Sequence, residues 1–247
     1  MSNHYTLFGI DIAIGSREEL YQRCAALVGR GGAISTVNPI ILNNAINSPE
    51  LKEALKSSLC IPDGVGVEIA IRCLGCKTER LPGVDLGERL LSGDRCVSLG
   101  IIGGKEGVAT KALENLTAKH PGVIPEFALC GYNIDDGYVK KLISERQPDV
   151  VFVCLGSPMQ ELFVNRMRPF SEKTLFLALG GSADIYSGEK KRAPGVIRMV
   201  GAEWLWRILR EPKRLAKVPG MFSFFIKTAE YHRKSGKIGK KTDEINR

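Results

Sequence analysis

Asp149-Val150-Val151-Phe152-Val153-Cys154-Leu155-Gly156-Ser157-Pro158-Met159-Gln160-Glu161 is the stretch whose reading decides the fold. Residues 149–155 predict a strand that is apolar on both faces, without the polar alternation of a strand open to water on one side. Gly156-Ser157-Pro158 ends it, and a helix is predicted over residues 159–167. A strand apolar on both faces and followed by a helix is the unit of a parallel sheet covered on both sides.

The same alternation extends in both directions. Strands are predicted at residues 5–12, 33–37, 95–102 and 175–179, with a further apolar strand leading into Asp63. Helices are predicted at residues 49–57, 66–74, 107–119 and 135–146. Ser16 followed by Glu19 has the spacing of a capping box, which opens another helix running to residue 28. The expected class is α/β: a Rossmann-like parallel sheet with helices on both faces over residues 1–190, followed by a basic helical appendage over residues 191–247. No internal repeat or low-complexity segment interrupts it.

Charge separates these two parts. Residues 190–247 hold 16 Lys and Arg against 5 Asp and Glu, whereas the other 189 residues carry a net charge of −3. The overall +8 therefore belongs to the tail, which also contains Trp204, Trp206, Phe222, Phe224 and Phe225. Basic residues mixed with aromatics suit an anionic surface: a membrane headgroup layer, a nucleic acid or a phosphorylated substrate. Residues 219–234 predict a helix with Met221, Phe222, Phe225, Ile226 and Ala229 on one face and Lys227, Arg233 and Lys234 along it. That helix is expected to dock on lipid, the competing reading being that its aromatics pack on the protein. No apolar run reaches the length of a membrane span, and the N-terminus lacks the basic-then-apolar pattern of a secretory signal. A nucleic-acid partner is not expected, because the basic charge is confined to a tail without a recognition motif. Seven cysteines, an odd number scattered through predicted elements, fit reduced thiols. Cys73 and Cys76 form a lone C-x-x-C without the second pair or nearby His that zinc needs. No role falls to His4, His120 or His232.

Ligands in such sheets sit beyond the carboxyl ends of the strands. The polar and glycine-rich residues of the chain gather there: Thr36-Val37-Asn38, Pro62-Asp63-Gly64, Gly103-Gly104-Lys105, residues 156–161 and Gly180-Gly181-Ser182-Ala183-Asp184. Asp63, set before Gly64 and Gly66, suits a general base, and equally a helix cap. Thr36 and Asn38 fall on one side of their strand and suit substrate contact, or turn chemistry before Pro39. Gly103 and Gly104 precede a helix and can present backbone N–H groups to a phosphate. No D-x-D triplet occurs, so no metal is assigned, and the charge on a leaving diphosphate falls to Arg and Lys side chains.

Asp63-Gly64-Val65-Gly66, Arg80-Leu81-Pro82-Gly83-Val84-Asp85-Leu86, Gly156-Ser157-Pro158-Met159-Gln160-Glu161, Arg192-Ala193-Pro194, Glu203-Trp204-Leu205-Trp206-Arg207 and Glu211-Pro212-Lys213-Arg214-Leu215 follow one another in order. Together they resemble the WecG/TagA/CpsF glycosyltransferases over residues 5–217. The resemblance implies an inverting transfer of a sugar from a UDP-sugar donor to a polyprenyl-diphosphate-linked saccharide, with neither metal nor cofactor, at the cytoplasmic face of the cell membrane. It implies Asp63 as base, with Thr36, Asn38, Arg80 and Gln160 on the substrates. It implies an appendage that docks on the membrane and helps to complete the site. Gly103, Gly104, Gly181, Arg207 and Arg214 join the expected substrate-binding set, and Asp85 is expected to cap the helix after Gly83. The family often carries Lys where this chain has Met159. N-acetylmannosamine or its uronic acid is the leading sugar, UDP-glucose or another hexosyl donor an alternative, and a non-catalytic nucleotide-binding scaffold a second alternative. Whether the chain forms a homo-oligomer stays open.

Overall fold

The computed structural model describes residues 3–93 and 95–245, with side chains described as far as residue 233. In chain order the elements are β1 (His4–Leu7), β2 (Ile10–Ala13), α1 (Arg17–Ala25), β3 (Gly32–Val37), α2 (Pro39–Ile46), α3 (Pro49–Lys56), β4 (Leu59–Pro62), α4 (Val65–Cys73) and α5 (Gly83–Leu91). There follow β5 (Val97–Gly103), α6 (Val108–Lys119), β6 (Val123–Leu129), α7 (Asp136–Arg146), β7 (Val150–Cys154), α8 (Met159–Met167), β8 (Leu175–Ala178) and α9 (Ser182–Tyr186). The appendage supplies α10 (Gly195–Met199), α11 (Glu203–Arg210) and α12 (Val218–Ile245).

The eight strands form one sheet in the order β1-β2-β4-β3-β8-β7-β5-β6. Only β1 runs antiparallel, and the other neighbours are parallel. Every residue of β7 and β8 is buried, as a sheet covered on both faces requires. Alternate residues face opposite layers. Val150, Phe152 and Cys154 face one core with α5, α6 and α9, while Val151 and Val153 face a second with α7 and α8. A third cluster, from β1, β2, α2, α3 and α4, takes in Phe224 of α12. Burying a side chain of this size stabilises by about 1.5–3 kcal/mol, so α12 is anchored to the body.

Several expectations are corrected. Residues 5–12 are a hairpin rather than one strand. Phe8 (φ 56°) and Gly9 (φ 76°) both take left-handed backbone, which a two-residue hairpin turn demands. Phe8 is unusual there, and its ring packs edge-on against Phe224 and Tyr231 of α12. The capping box of Ser16 and Glu19 forms, but α1 ends at Ala25 instead of residue 28. Strand β6 was not foreseen because Pro125 lies within it. The strand is at the sheet edge and its register shifts at Leu99/Gly100, where proline is tolerated. Helix α2 was also missed. Pro39 at its first turn reads as a turn signal, yet proline fits there because that N–H has no helical partner.

Candidate functional site at the carboxyl edge of the sheet

Strands β2, β4 and β3 come from the first part of the chain and β8, β7, β5 and β6 from the second, so the halves meet between β3 and β8. The carboxyl end of this seam is where the strand order opens a crevice. Thr36, at the end of β3, ties the seam together: its buried hydroxyl donates to the Ala178 carbonyl at 2.9 Å. Asn38 is the N-cap of α2, and its Oδ1 accepts from Ile40 N and Ile41 N at 3.0 and 3.1 Å. Its amide nitrogen is left for other partners.

Asp63 follows β4 directly. Its N–H donates to the Val37 carbonyl at 2.9 Å, fixing it beside the end of β3. Its Oδ1 accepts from Gly83 N at 2.7 Å, the first residue of α5. The cap of α4 is Gly64, so Asp63 serves a different helix from the one that follows it. Asp63 keeps part of its surface open, but the protein packed around it still dominates its titration. Burial pushes the carboxyl above the usual range, Gly83 N–H and Arg207 oppose that, Glu203 adds to it, and Arg192 opposes it. The second carboxylate oxygen remains available for a proton.

Glycines bring backbones close around this residue. A Cβ on Gly66 would lie 2.5 Å from Pro39 Cγ, so α4 crosses the start of α2 at a distance only glycine allows. Gly201, with φ 77°, brings the turn between α10 and α11 onto Val65; a Cβ there would come within 2.9 Å of its Cγ2. The appendage thereby reaches the edge where Asp63 stands. Arg207 is half-buried and held by Glu203 Oε1 at 2.7 Å. Arg80 donates to the Arg198 carbonyl at 2.5 Å and lies 3.7 Å from Glu68. A cleft of about 190 Å³ opens beside it, lined by Arg17, Val65, Glu68, Arg80, Met199 and Gly201 among others.

Asp85 does not cap α5. It sits in the helix's first turn and forms a two-pronged ion pair with Arg192, at 2.5 and 2.8 Å. Burial alone would raise its carboxyl, but Arg192, with the more distant Arg198 and Arg17, holds it below the usual range. The pair joins the start of the appendage to the body.

The glycine loops occupy the second half of the edge. Gly103 has φ 144° and a Cβ there would lie 2.3 Å from the Cys154 carbonyl oxygen, while Gly104 accepts from Gly131 N through its own carbonyl. No side chain caps the N-terminus of α6 beyond them. Gln160 is 1% exposed, and its Oε1 accepts from Gly180 N at 2.7 Å. Gly181 is the N-cap of α9. Arg214 is bound to Glu211 at 2.7 Å, and Lys190 bridges Glu211 to Asp184 of α9. Arg214 is thus tied by side chains to α9, the helix that Gly181 caps. Met159 is 61% exposed at the same edge. Among the described residues no three His, Cys, Asp or Glu side chains are grouped to hold a metal ion.

Three contacts were not legible in the sequence. Glu203 beside Arg207, and Arg192 on Asp85, lay within the quoted motifs, but their pairing depends on how the appendage folds back. The Gly83 N–H is a backbone group and leaves no residue-type signal.

The chain matches the glycosyl transferase WecG/TagA/CpsF family over residues 5–237. It is 33% identical over 202 residues to an N-acetylglucosaminyldiphosphoundecaprenol N-acetyl-beta-D-mannosaminyltransferase of Bacillus subtilis (strain 168), covering 76% of this chain and 77% of that protein. A protein of the same name from Bacillus spizizenii is 31% identical over 218 residues, covering 84% and 82%. Another, from Staphylococcus aureus (strain MW2), is 30% identical over 213 residues, covering 81% of each.

Proposed function

Because the chain belongs to the WecG/TagA/CpsF glycosyltransferase family, we propose that it transfers N-acetylmannosamine from its UDP derivative to N-acetylglucosamine on undecaprenyl diphosphate. The sugar and the acceptor follow the names of its relatives. The observation that carries the chemistry is Asp63: a carboxylate fixed through one oxygen to Gly83 N–H, its acidity weakened by burial, beside an arginine of the appendage. The acceptor hydroxyl attacks the anomeric carbon, Asp63 takes its proton, and UDP leaves from the opposite side. A single displacement on an α-linked donor gives the β linkage in the relatives' names.

Charge develops on the departing diphosphate, and fixed cations and N–H dipoles there lower the barrier. Arg207 and Arg214 are the cations proposed for it. The Gly103-Gly104 turn with the uncapped start of α6 and the Gly180-Gly181 loop supply backbone donors. Thr36, Asn38, Arg80 and Gln160 shape the place where the two sugars meet. Turnover is expected to persist in excess EDTA; loss on chelation with recovery on adding Mg²⁺ or Mn²⁺ would move the diphosphate's stabilisation from side chains to a metal.

The acceptor is a lipid, and no helix among the described residues is long and apolar enough to cross a membrane. Peripheral docking on the inner face of the cell membrane is proposed instead. Exposed apolar side chains of the appendage include Val196 and Met199 of α10, Val200 just beyond it, Leu205 and Leu209 of α11, and Phe222 and Ile226 of α12. Phe222 and Ile226 lie outward as expected from sequence, but Phe225 does not. Phe225 turns inward with Phe224 onto the body, and Lys234 lies outside the residues with described side chains. Anionic lipid and the neighbouring Lys and Arg attract at about 1 kcal/mol per charge.

The test of the reading is Asp63→Asn assayed with a short-chain acceptor. Asn can still accept from Gly83 N–H but cannot take a proton. kcat is expected to fall by roughly 10²-fold or more with UDP binding kept. Near-normal turnover would remove Asp63 from the mechanism.

A further inference from the structure

Glu161 follows Gln160 in the first turn of α8 and is 2% exposed. A carboxyl this deep ordinarily faces a cation, yet none of the ion pairs among the described residues includes it. Burial pushes its carboxyl up, and hydrogen bonding with Gln160 only partly opposes this. Its Oε1 accepts from Gln160 Nε2 at 2.9 Å. Its Oε2 is buried without a hydrogen-bond partner, near the Ser157 hydroxyl, which is likewise unpartnered. Its one firm side-chain contact is therefore the Gln160 amide.

That contact has a geometric consequence. A glutamine amide is nearly the same shape in its two flipped orientations, and the neighbours decide which is adopted. With Glu161 accepting from its nitrogen, Gln160 must turn its oxygen towards Gly180 N–H, as observed at 2.7 Å. In the flipped orientation two acceptors would face each other at Glu161 Oε1 and two donors at Gly180 N. Gly180 has φ 59° and begins the loop leading into α9, at the end of β8 on the seam with β3. The chain of contacts thus runs from a buried acid, through one amide, to the backbone of a loop at the site's edge.

We propose that Glu161 is a positioning residue for the nucleotide-sugar donor, setting the orientation of Gln160 and through it the shape of the Gly180–Ser182 loop. The proposal rests on the glycosyltransferase reading insofar as it takes that loop to belong to the donor site. Glu161 itself touches no substrate.

The test compares Glu161→Met with Glu161→Gln in the full chain. Met matches the length but accepts no such bond, whereas Gln keeps the shape and can still accept from the Gln160 amide. Two readouts are taken: hydrogen exchange of the Gly180 amide in the free protein, and donor KM and kcat together with UDP affinity. Glu161→Met is expected to speed Gly180 exchange by about tenfold and to raise the donor KM and the UDP Kd by about tenfold. Its kcat should stay within about threefold, because binding is lost rather than barrier lowering. Glu161→Gln should restore both readouts. If Glu161→Met does not fold, Glu161→Asp, which withdraws the carboxyl by one carbon, is measured the same way with the same expectation. A folded variant with Gly180 still protected and donor binding unchanged overturns the proposal. So does faster Gly180 exchange with unaltered UDP affinity, which would sever the loop from the donor. So does a Glu161→Gln variant that behaves like Met. Wild-type protein inactive with every UDP-sugar would instead sink the glycosyltransferase reading, while Gly180 exchange and UDP affinity still decide the role of Glu161.

Discussion

At the scale of the residue, Asp63 joins function to a stability cost. Its folded-state carboxyl is pushed above the value it has in the unfolded chain, first by burial. The stability it contributes is therefore fully present below the unfolded value, about pH 4, and is lost as pH rises through the raised folded value. Above that raised value the ionised group burdens the fold. Asp63→Asn should melt at the same temperature as the wild type or higher at pH 7, with the difference vanishing below about pH 4; a clearly lower Tm at pH 7 would contradict this. The acid limb of kcat/KM should lie above the ordinary Asp range. Because Glu203 adds to the upward push, Glu203→Gln should move that limb to lower pH, and a limb that stayed put or rose would refute the coupling. Asp63 was legible as a candidate from its glycine-rich setting. Whether it was base or cap was not, since the choice depends on Gly83, twenty residues away in sequence and adjacent only in the fold.

At the scale of the element, the appendage is latched rather than tethered. Arg192 grips Asp85 in the first turn of α5, and the Lys190–Glu211–Arg214 chain holds α9. Asp85 is held below the usual range, so its stabilising effect is present above the unfolded value and is lost as pH falls through the depressed folded value. Asp85→Asn removes the ion pair at neutral pH and leaves Arg192 partly buried without its anion. Proteolysis within residues 191–217 should speed up by about tenfold while the sheet keeps its circular dichroism; unchanged cleavage would show that the latch is not needed. Helices α1, α3, α6, α7 and α8 were readable from caps and periodicity. Strand β6 and helix α2 were not, because each carries a proline where position in the fold, not the local sequence, makes it harmless.

At the scale of the whole molecule, the sequence already separated a weakly acidic body from a basic tail, and the sheet with its polar carboxyl edge followed from strand and helix periodicity. What it could not show is which tail residues turn outward. Helix α12 reads as a free amphipathic segment, but Phe224 is fully buried against α2 and α4 and Phe8 leans on it. Removing residues 219–247 would open a core as well as remove part of the proposed docking surface, so point substitutions separate the two. Leu209→Glu, at a residue 71% exposed on α11, should weaken binding to anionic vesicles by about tenfold and leave turnover of a short-chain acceptor unchanged. Vesicle binding equal to the wild type would place the docking surface elsewhere. The central claim, that this edge moves a sugar from UDP to a lipid-linked acceptor, is tested most directly by incubating the full chain with UDP-N-acetylmannosamine and a short-chain lipid diphosphate bearing N-acetylglucosamine. The account predicts a β-linked disaccharide on the lipid, formed in equal amount to the UDP released. No disaccharide, UDP release without transfer, or an α-linked product would contradict it.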